Sequence, residues 1–317
     1  MSQEDPTQHP HWERKILEDL AFATMKEQRA TRRWKIFFRL VWLGLVVGLI
    51  VWWNWSGQQA SKISFAHTAV IEIRGAISAD SEASALSLSE ALREAFEEPS
   101  AKGLILLINS PGGSPVQAGI IADEILRLKT LHNKPVHAVV EETCASAAYY
   151  IASAADNIYV DKASLVGSIG VLMNGFGFTG LLDKLGVERR LMIAGDNKGF
   201  MDPFSPLSES QREHTQQMLD DIHQQFVSVV QRGRGDRLDP EADEEIFSGL
   251  VWTGERAIEM GLADGLGSLD QVARDVIGAA RLVDYTQREN LAERLARRFG
   301  AGAADSAVRI LGHSPLR

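Results

Sequence analysis

Apolar positions along this chain fall into three kinds of run. The first is unbroken. From 40 to 53 the sequence LVWLGLVVGLIVWW carries no charge, and extended to 36–55 it is interrupted only by Arg39 and Asn54. About 20 such residues make a helix long enough to cross the hydrocarbon core of a bilayer. Arg39 lies near one end, where it can snorkel to the headgroups. Trp34, Trp42, Trp52, Trp53 and Trp55 gather near the two ends, as aromatic belts do. Lys26, Arg29, Arg32, Arg33 and Lys35 precede the run, and Lys62 is the first charge after it. The positive-inside rule then places the N-terminus in the cytoplasm and the rest of the chain outside it. The preceding charged stretch is too long for a signal-peptide n-region, and no A-x-A site follows closely, which speaks against cleavage.

The second kind of run is short and alternates with helical periodicity. TAVIEI (68–73), GLILLIN (103–109), PVHAVV (135–140), NIYV (157–160), SIGVLM (168–173) and RRLMIA (189–194) read as strands. GLILLIN is continuously apolar, as a strand buried on both faces is. Helical patterns fall at 83–96, from after SPGG to about 131, and at 145–154. This alternation predicts an α/β domain with a largely parallel sheet and right-handed crossovers.

The third kind is a stripe. Met218, Ile222, Phe226 and Val230 recur every four residues, which predicts one apolar face on a long helix at 209–232. Shorter helices are expected after Thr253, stopping at Gly261, and from Ser268, where S-L-D-Q fits a capping box. The expected organisation is a cytoplasmic tail (1–35), a transmembrane helix (36–55), a linker (56–66), one catalytic-sized domain (67–284) and a basic C-terminal segment (285–317).

Composition narrows the function. The net charge of -9 argues against a nucleic-acid partner, whose phosphates favour basic domains. The single cysteine, Cys144, rules out an intramolecular disulfide. No H-E-x-x-H or paired C-x-x-C occurs, so the sequence supports no zinc site. GFGFTG (175–180) matches G-x-G-x-x-G with Asp196 beyond it, but the match falls late in the fold and reads better as a glycine-rich turn.

Candidate chemistry lies in three segments. His137 sits inside an apolar strand, and His214 and His223 lie on the long helix, so none has the local context of a catalytic base. SPGG (110–113) follows a buried strand and precedes a helix. Its adjacent glycines let backbone N–H groups face a site, as a nest for a developing oxyanion does, although a tight strand-to-helix turn needs the same residues. In EETCASAAYYIA (141–152), Ser146 stands where a strand gives way to a helix of small residues, either as a nucleophile at the positive helix end or as an ordinary N-cap. Lys198 lies in a glycine-rich loop, AGDNKGFMDPFSP. A solvated lysine is protonated at neutral pH, but burial lowers its pKa, and a neutral lysine can take a proton from a serine hydroxyl.

Taken together, INSPGGS (108–114), ASAAYYIA–AADNIYV (145–160), LVGSIGV (165–171), AGDNKGF–DPFSPLSE (194–209) and VWTGERAIEMGLADGLGSLD (251–270) resemble the short form of the signal peptide peptidase A family of serine proteases. The resemblance covers 68–272. It implies a Clp-protease/crotonase-like superhelix of ββα units behind a single N-terminal transmembrane helix. It implies Ser146 as nucleophile, Lys198 as general base, Ser168 as the residue orienting that lysine, and backbone N–H groups of Gly113 and Ala147 as the oxyanion hole. No cofactor or metal is implied. The implied partners are signal peptides and other apolar peptide segments, the bacterial inner membrane with the catalytic domain periplasmic, and a homo-oligomeric ring such as an octamer in which serine and lysine meet across a subunit boundary. One departure stands out: Ala147-Ala148 replaces the family's usual Gly-Gly after the nucleophile, which would strain an alanine if the backbone there had unusual φ. A broader envelope quality-control protease would share every one of these residues. A non-catalytic membrane scaffold on the same fold would tolerate loss of Ser146 or Lys198. An acyl-CoA enzyme of the crotonase type fits poorly with an extracytoplasmic domain.

Overall fold

The computed structural model describes residues 32–49 and 65–287. Residues up to Ser64 form one compact unit and those from Phe65 a second. In the first, 32–49 is a helix, α1, with Trp34, Phe37 and Phe38 packed edge to edge or tilted at 5.7–5.8 Å. The stretch 50–55, the second part of the expected membrane segment, lies outside the described residues, as do the tail before 32 and the segment beyond 287. No described helix is long and apolar enough to cross a membrane.

In the second unit the chain runs β1 (His67–Arg74), α2 (Ala85–Glu97), β2 (Ala101–Ser110), α3 (Pro115–His132), β3 (Val136–Ala145), α4 (Ala147–Ala152), β4 (Asn157–Val160) and β5 (Leu165–Gly167). It continues through α5 (Thr179–Leu185), α6 (Glu209–Arg234), α7 (Asp243–Ile246), β6 (Val251–Thr253), α8 (Gly254–Glu259), β7 (Gly265–Leu266), α9 (Leu269–Gln271) with a π-helical turn, and β8 (Leu282–Asp284). The sheet order is β6-β5-β3-β2-β1-β8, with β4 pairing both β3 and β7. Every pairing is parallel except β5 with β6. This is the mixed α/β fold with a parallel sheet that the alternation predicted.

β2 sits at the centre, which is why GLILLIN has no polar face. Leu104, Ile105, Leu106 and Ile108 are all buried. One side of the sheet is closed by Val272 and Ala273, which pack with Val70, Ile105, Leu107 and Val139. α2 and α3 pack on one another, capped by Ser84 and Ser114 through their own side chains. Each large aliphatic side chain buried this way contributes about 1.5–3 kcal/mol.

β3 is where the sheet forks. Its first half, His137 to Val139, pairs with β4, and its last residues, Thr143 to Ala145, pair with β5. A register shift between Ile108 and Ser110 brings Ser110 opposite Cys144. The end of β3 therefore stands between the end of β2 and β5, and any residue following it emerges at the carboxyl edge of parallel strands, where open α/β sheets place their sites.

Two predicted strands are absent. The segments 168–173 and 189–194 have no regular structure. β5 ends at Gly167 because Ser168 turns to φ 52 and gives its N–H to Leu250 O at 2.7 Å. Beyond it Leu172, Phe176 and Met192 are 79%, 82% and 93% exposed, so they enter no core among the described residues. Apolar runs of this length look alike whether they face a core or another surface. The predicted stripe on α6 does reach the core at Phe226 and Val230.

The C-terminal end of α6 carries the main buried charge. Arg234 is almost fully buried and donates to both carboxylate oxygens of Asp264, at 2.7 and 3.0 Å, and to Gly261 O at 2.8 Å. Asp264 also accepts from Ile158 N–H at 2.7 Å and from Arg237 at 3.2 Å. Burial pushes the Asp264 carboxyl up, but Arg234 and the Ile158 N–H outweigh it, and the net direction is down. Its contribution is complete above the ordinary carboxylate pKa and is withdrawn as pH falls through the lower folded value. The same neighbourhood anchors α4, because the buried Tyr149 hydroxyl donates to Leu262 O at 2.8 Å. Arg234→Ala leaves the Asp264 charge half-buried and short of its main partner, and is expected to cost about 3–5 kcal/mol, read as a lower urea midpoint.

Candidate active site

Ser146 is the first residue after β3 and the last before α4. Its φ of 53 and ψ of -124 lie in a region that non-glycine residues avoid at a cost of about 1–3 kcal/mol. The chain around it is pinned on both sides. Its N–H donates to Gly167 O at 2.8 Å, and its carbonyl accepts from Tyr150 N–H at 3.0 Å. The hydroxyl makes no capping hydrogen bond to α4, so the ordinary N-cap role is not the one it fills. A strained elbow between strand and helix with its hydroxyl uncommitted is how a fold presents a nucleophile.

The SPGG turn meets this elbow. Gly112 and Gly113 have φ of 101 and 153. A Cβ on Gly112 would stand 2.7 Å from Ser146 Cβ and 2.9 Å from Ala147 N, so only glycine allows the approach. Ile77 clamps the turn, donating to Gly112 O at 2.9 Å and accepting from Ser114 N–H at 2.8 Å. Ser110 Oγ accepts from Gly112 N–H at 3.1 Å. These bonds leave the N–H of Gly113 without a partner among the described residues, and the first N–H of α4, on Ala147, is likewise unpartnered. Two free donors beside a serine hydroxyl can hold an oxyanion.

Ala147 and Ala148 are both helical and buried, and neither has positive φ. The strain anticipated at this pair falls on Ser146 instead, and alanine is accommodated. Cys144 is completely buried, and burial pushes its thiol far above the ordinary range, so it supplies no thiolate.

A cavity of about 690 Å³ opens at the elbow, and Gly113, Ser146, Ala147 and Ser168 all line it. Its other walls include Tyr150, Ile222 and Phe226, and among the described residues no charged side chain or histidine lines it. Sequence periodicity assigned Ile222 and Phe226 to the core stripe of α6, and they serve the cavity as well. Their signal was the stripe itself, which cannot distinguish a packed face from a pocket wall. His137, inside β3, is buried with its Nδ1 unpartnered, and burial lowers its pKa. Among the described residues no group of His, Cys, Asp and Glu could hold a metal ion.

Lys198 is not brought to this cavity within one chain. It is exposed and does not line the wall, and its backbone N–H donates to Gly195 O at 3.0 Å. The burial that a neutral lysine requires is not supplied by the described residues of its own chain. The loop that carries it is nevertheless ordered by its own contacts. Asp202 accepts from Ser205 Oγ at 2.7 Å and from Arg189 at 3.3 Å, and Phe204 stacks on Phe178 at 5.5 Å. GFGFTG leads into α5 from irregular backbone rather than from a strand, so the dinucleotide context is missing.

Comparison of the sequence with known proteins finds relatives for this chain. The sequence model of Peptidase family S49 matches residues 129–282. A Brucella abortus (strain 2308) protein named Na(+)/H(+) antiporter NhaA is 43% identical over 187 residues, covering 59% of this chain and 25% of its own length. An Enterococcus faecium protein assigned as signal peptide peptidase SppA is 33% identical over 62% of this chain and 56% of its own length. A Synechocystis sp. protein assigned as a protease is 34% identical over 62% of this chain and 69% of its own length. The chain thus spans from a quarter to somewhat over two thirds of these relatives. A substrate-bound mutant of the 1510-N membrane-bound stomatin-specific protease covers 75% of this chain and 99% of its own, at 15% identity and a TM-score of 0.46.

Proposed function

The chain belongs to peptidase family S49, and from that membership we propose that it is a membrane-anchored serine endopeptidase that cleaves apolar peptide segments, remnant signal peptides among them. The observation that carries this reading is Ser146, strained, uncapped and flanked by the unpartnered N–H groups of Gly113 and Ala147. The finer fold we propose is the Clp-protease/crotonase superhelix, supported by the succession of strands and helices from β1 to α4. The lack of charge in the cavity wall suits an apolar side chain.

The reaction is acyl transfer. A neutral Lys198 takes the proton from Ser146 Oγ, and the oxygen attacks the peptide carbonyl carbon. The carbonyl oxygen becomes an oxyanion held by Gly113 and Ala147 N–H. As the C–N bond breaks, Lys198 returns the proton to the leaving amine. Water, deprotonated by the same amine, then hydrolyses the ester and restores the hydroxyl.

Because Lys198 is exposed in its own chain, the base in this proposal comes from a neighbouring copy in a ring such as an octamer. The outward Phe176 and Met192 support this, since exposed apolar side chains gain by burial against another chain. At that boundary Ser168, which lines the cavity, would orient the amine. The apolar stretch 36–55 and the cations before it support a cytoplasmic N-terminus, a single span and a periplasmic catalytic domain.

The test is hydrolysis of an apolar fluorogenic peptide by the full chain in detergent micelles. Ser146→Ala is expected to reduce the rate to background. A Ser146→Ala chain that still cleaves at the wild-type rate would sink the assignment.

A further inference from the structure

His223 reads from the sequence as a surface or packed histidine on a long helix, but its one described side-chain bond reaches the active-site turn. Its Nε2 stands 3.1 Å from the Ile169 carbonyl oxygen. A carbonyl only accepts, so Nε2 carries the proton in this contact. Ile169 is fully buried, and its two neighbours, Ser168 and Gly170, line the cavity.

The turn needs such support. Ser168 is held at φ 52, a conformation that persists only where the surroundings over-determine it. Gly167 O accepts from Ser146 N–H at 2.8 Å, Ser168 N–H donates to Leu250 O at 2.7 Å, and Gly170 N–H donates to Ser168 O at 2.9 Å. These bonds fix the turn to the Ser146 elbow and to the strip before β6. Among the described hydrogen bonds, the one from His223 is what ties it to α6, next to the cavity wall residue Ile222. Without that donor the Ile169 carbonyl is buried and unpaired, and the turn can relieve both costs by rotating.

We infer that His223 is a positioning residue: by holding the Ile169 carbonyl it sets where the Ser168 side chain and the Gly170 backbone stand in the cavity. The inference rests on the proteolytic reading of Ser146. His223 itself does not line the cavity and takes no part in proton transfer.

The experiment compares His223→Leu, which keeps bulk and removes the donor, with His223→Gln, whose amide N–H can reach the same carbonyl. Both are made in the full chain and assayed beside Ser146→Ala, with thermal midpoints recorded. His223→Leu is expected to lose roughly ten- to a hundredfold in kcat with KM within about threefold, the pattern of misplaced groups rather than lost binding. His223→Gln is expected to recover most of that loss. Wild-type kcat in His223→Leu, with Ser146→Ala silent, overturns the positioning role and leaves the proteolytic reading intact. A glutamine variant as slow as the leucine variant, or a loss confined to KM, overturns it equally. Hydrolysis that survives Ser146→Ala removes the proteolytic reading and this inference with it.

Discussion

Lys198→Ala is expected to silence peptide hydrolysis as fully as Ser146→Ala, by roughly 10⁴-fold or more, because the members of a nucleophile–base pair act as a unit. Neither variant removes a core contact: Ser146 hydroxyl makes no cap, and Lys198 is exposed. Both should therefore keep wild-type thermal midpoints. The informative step is mixing the two after dissociation and reassembly. If each site takes its serine from one copy and its lysine from the next, random assortment around a closed ring restores about a quarter of the sites. A dyad formed within one chain leaves the mixture silent, because every chain then lacks one half. The exposure of Lys198 and its absence from the cavity wall favour recovery. Activity left in Lys198→Ala alone would dismiss the lysine as base, whatever the mixture does.

What the sequence could and could not reveal follows from where each residue finds its partners. GLILLIN was legible as a buried strand because β2 is covered on both faces by the chain's own helices. NIYV matched β4 residue for residue. The helix after Thr253 was legible because capping is local: the Thr253 side chain accepts from Arg256 N–H three residues on. The segments 168–173 and 189–194 misled for the opposite reason. Ile169 is buried without any strand pairing, while Phe176 just beyond the first segment and Met192 in the second stay exposed among the described residues, and periodicity carries no label for which surface will cover an apolar residue.

The site shows the same division. SPGG and the small-residue segment were recognisable as turn and helix start, and each admitted a bland reading. Only three-dimensional contact separates the readings. Gly112 is required because Ser146 and Ala147 lie across from it, thirty-odd residues later in the chain, a fact no local propensity encodes. The φ of Ser146 is likewise imposed by β5 and α4 rather than by serine itself. His223 gave no local signal because a histidine on a long helix is more often a surface or packed residue than a base, and its bond to Ile169 spans the 168–208 connection.

Gly113→Ala is the second large effect expected. An alanine Cβ at 113 would stand 2.1 Å from Ile77 O and 2.8 Å from Ile77 N, where no side-chain carbon can remain. Either Ile77 or the turn must shift. The turn is the weaker party, because Ile77 is fully buried. Its displacement carries the Gly113 N–H away from Ser146, and losing one oxyanion donor costs about 10²–10³ in kcat, or roughly 3–4 kcal/mol of transition-state stabilisation. KM should change little, since the donor acts on charge that develops after binding. The variant retains Ser146 in its elbow, with the Gly167 bond untouched, so a small acylating probe should still modify the serine, only more slowly. Wild-type kcat in a folded Gly113→Ala chain would mean that the Gly113 N–H does not face the reacting oxygen, and the oxyanion hole would then have to be built on Ala147 and some other donor.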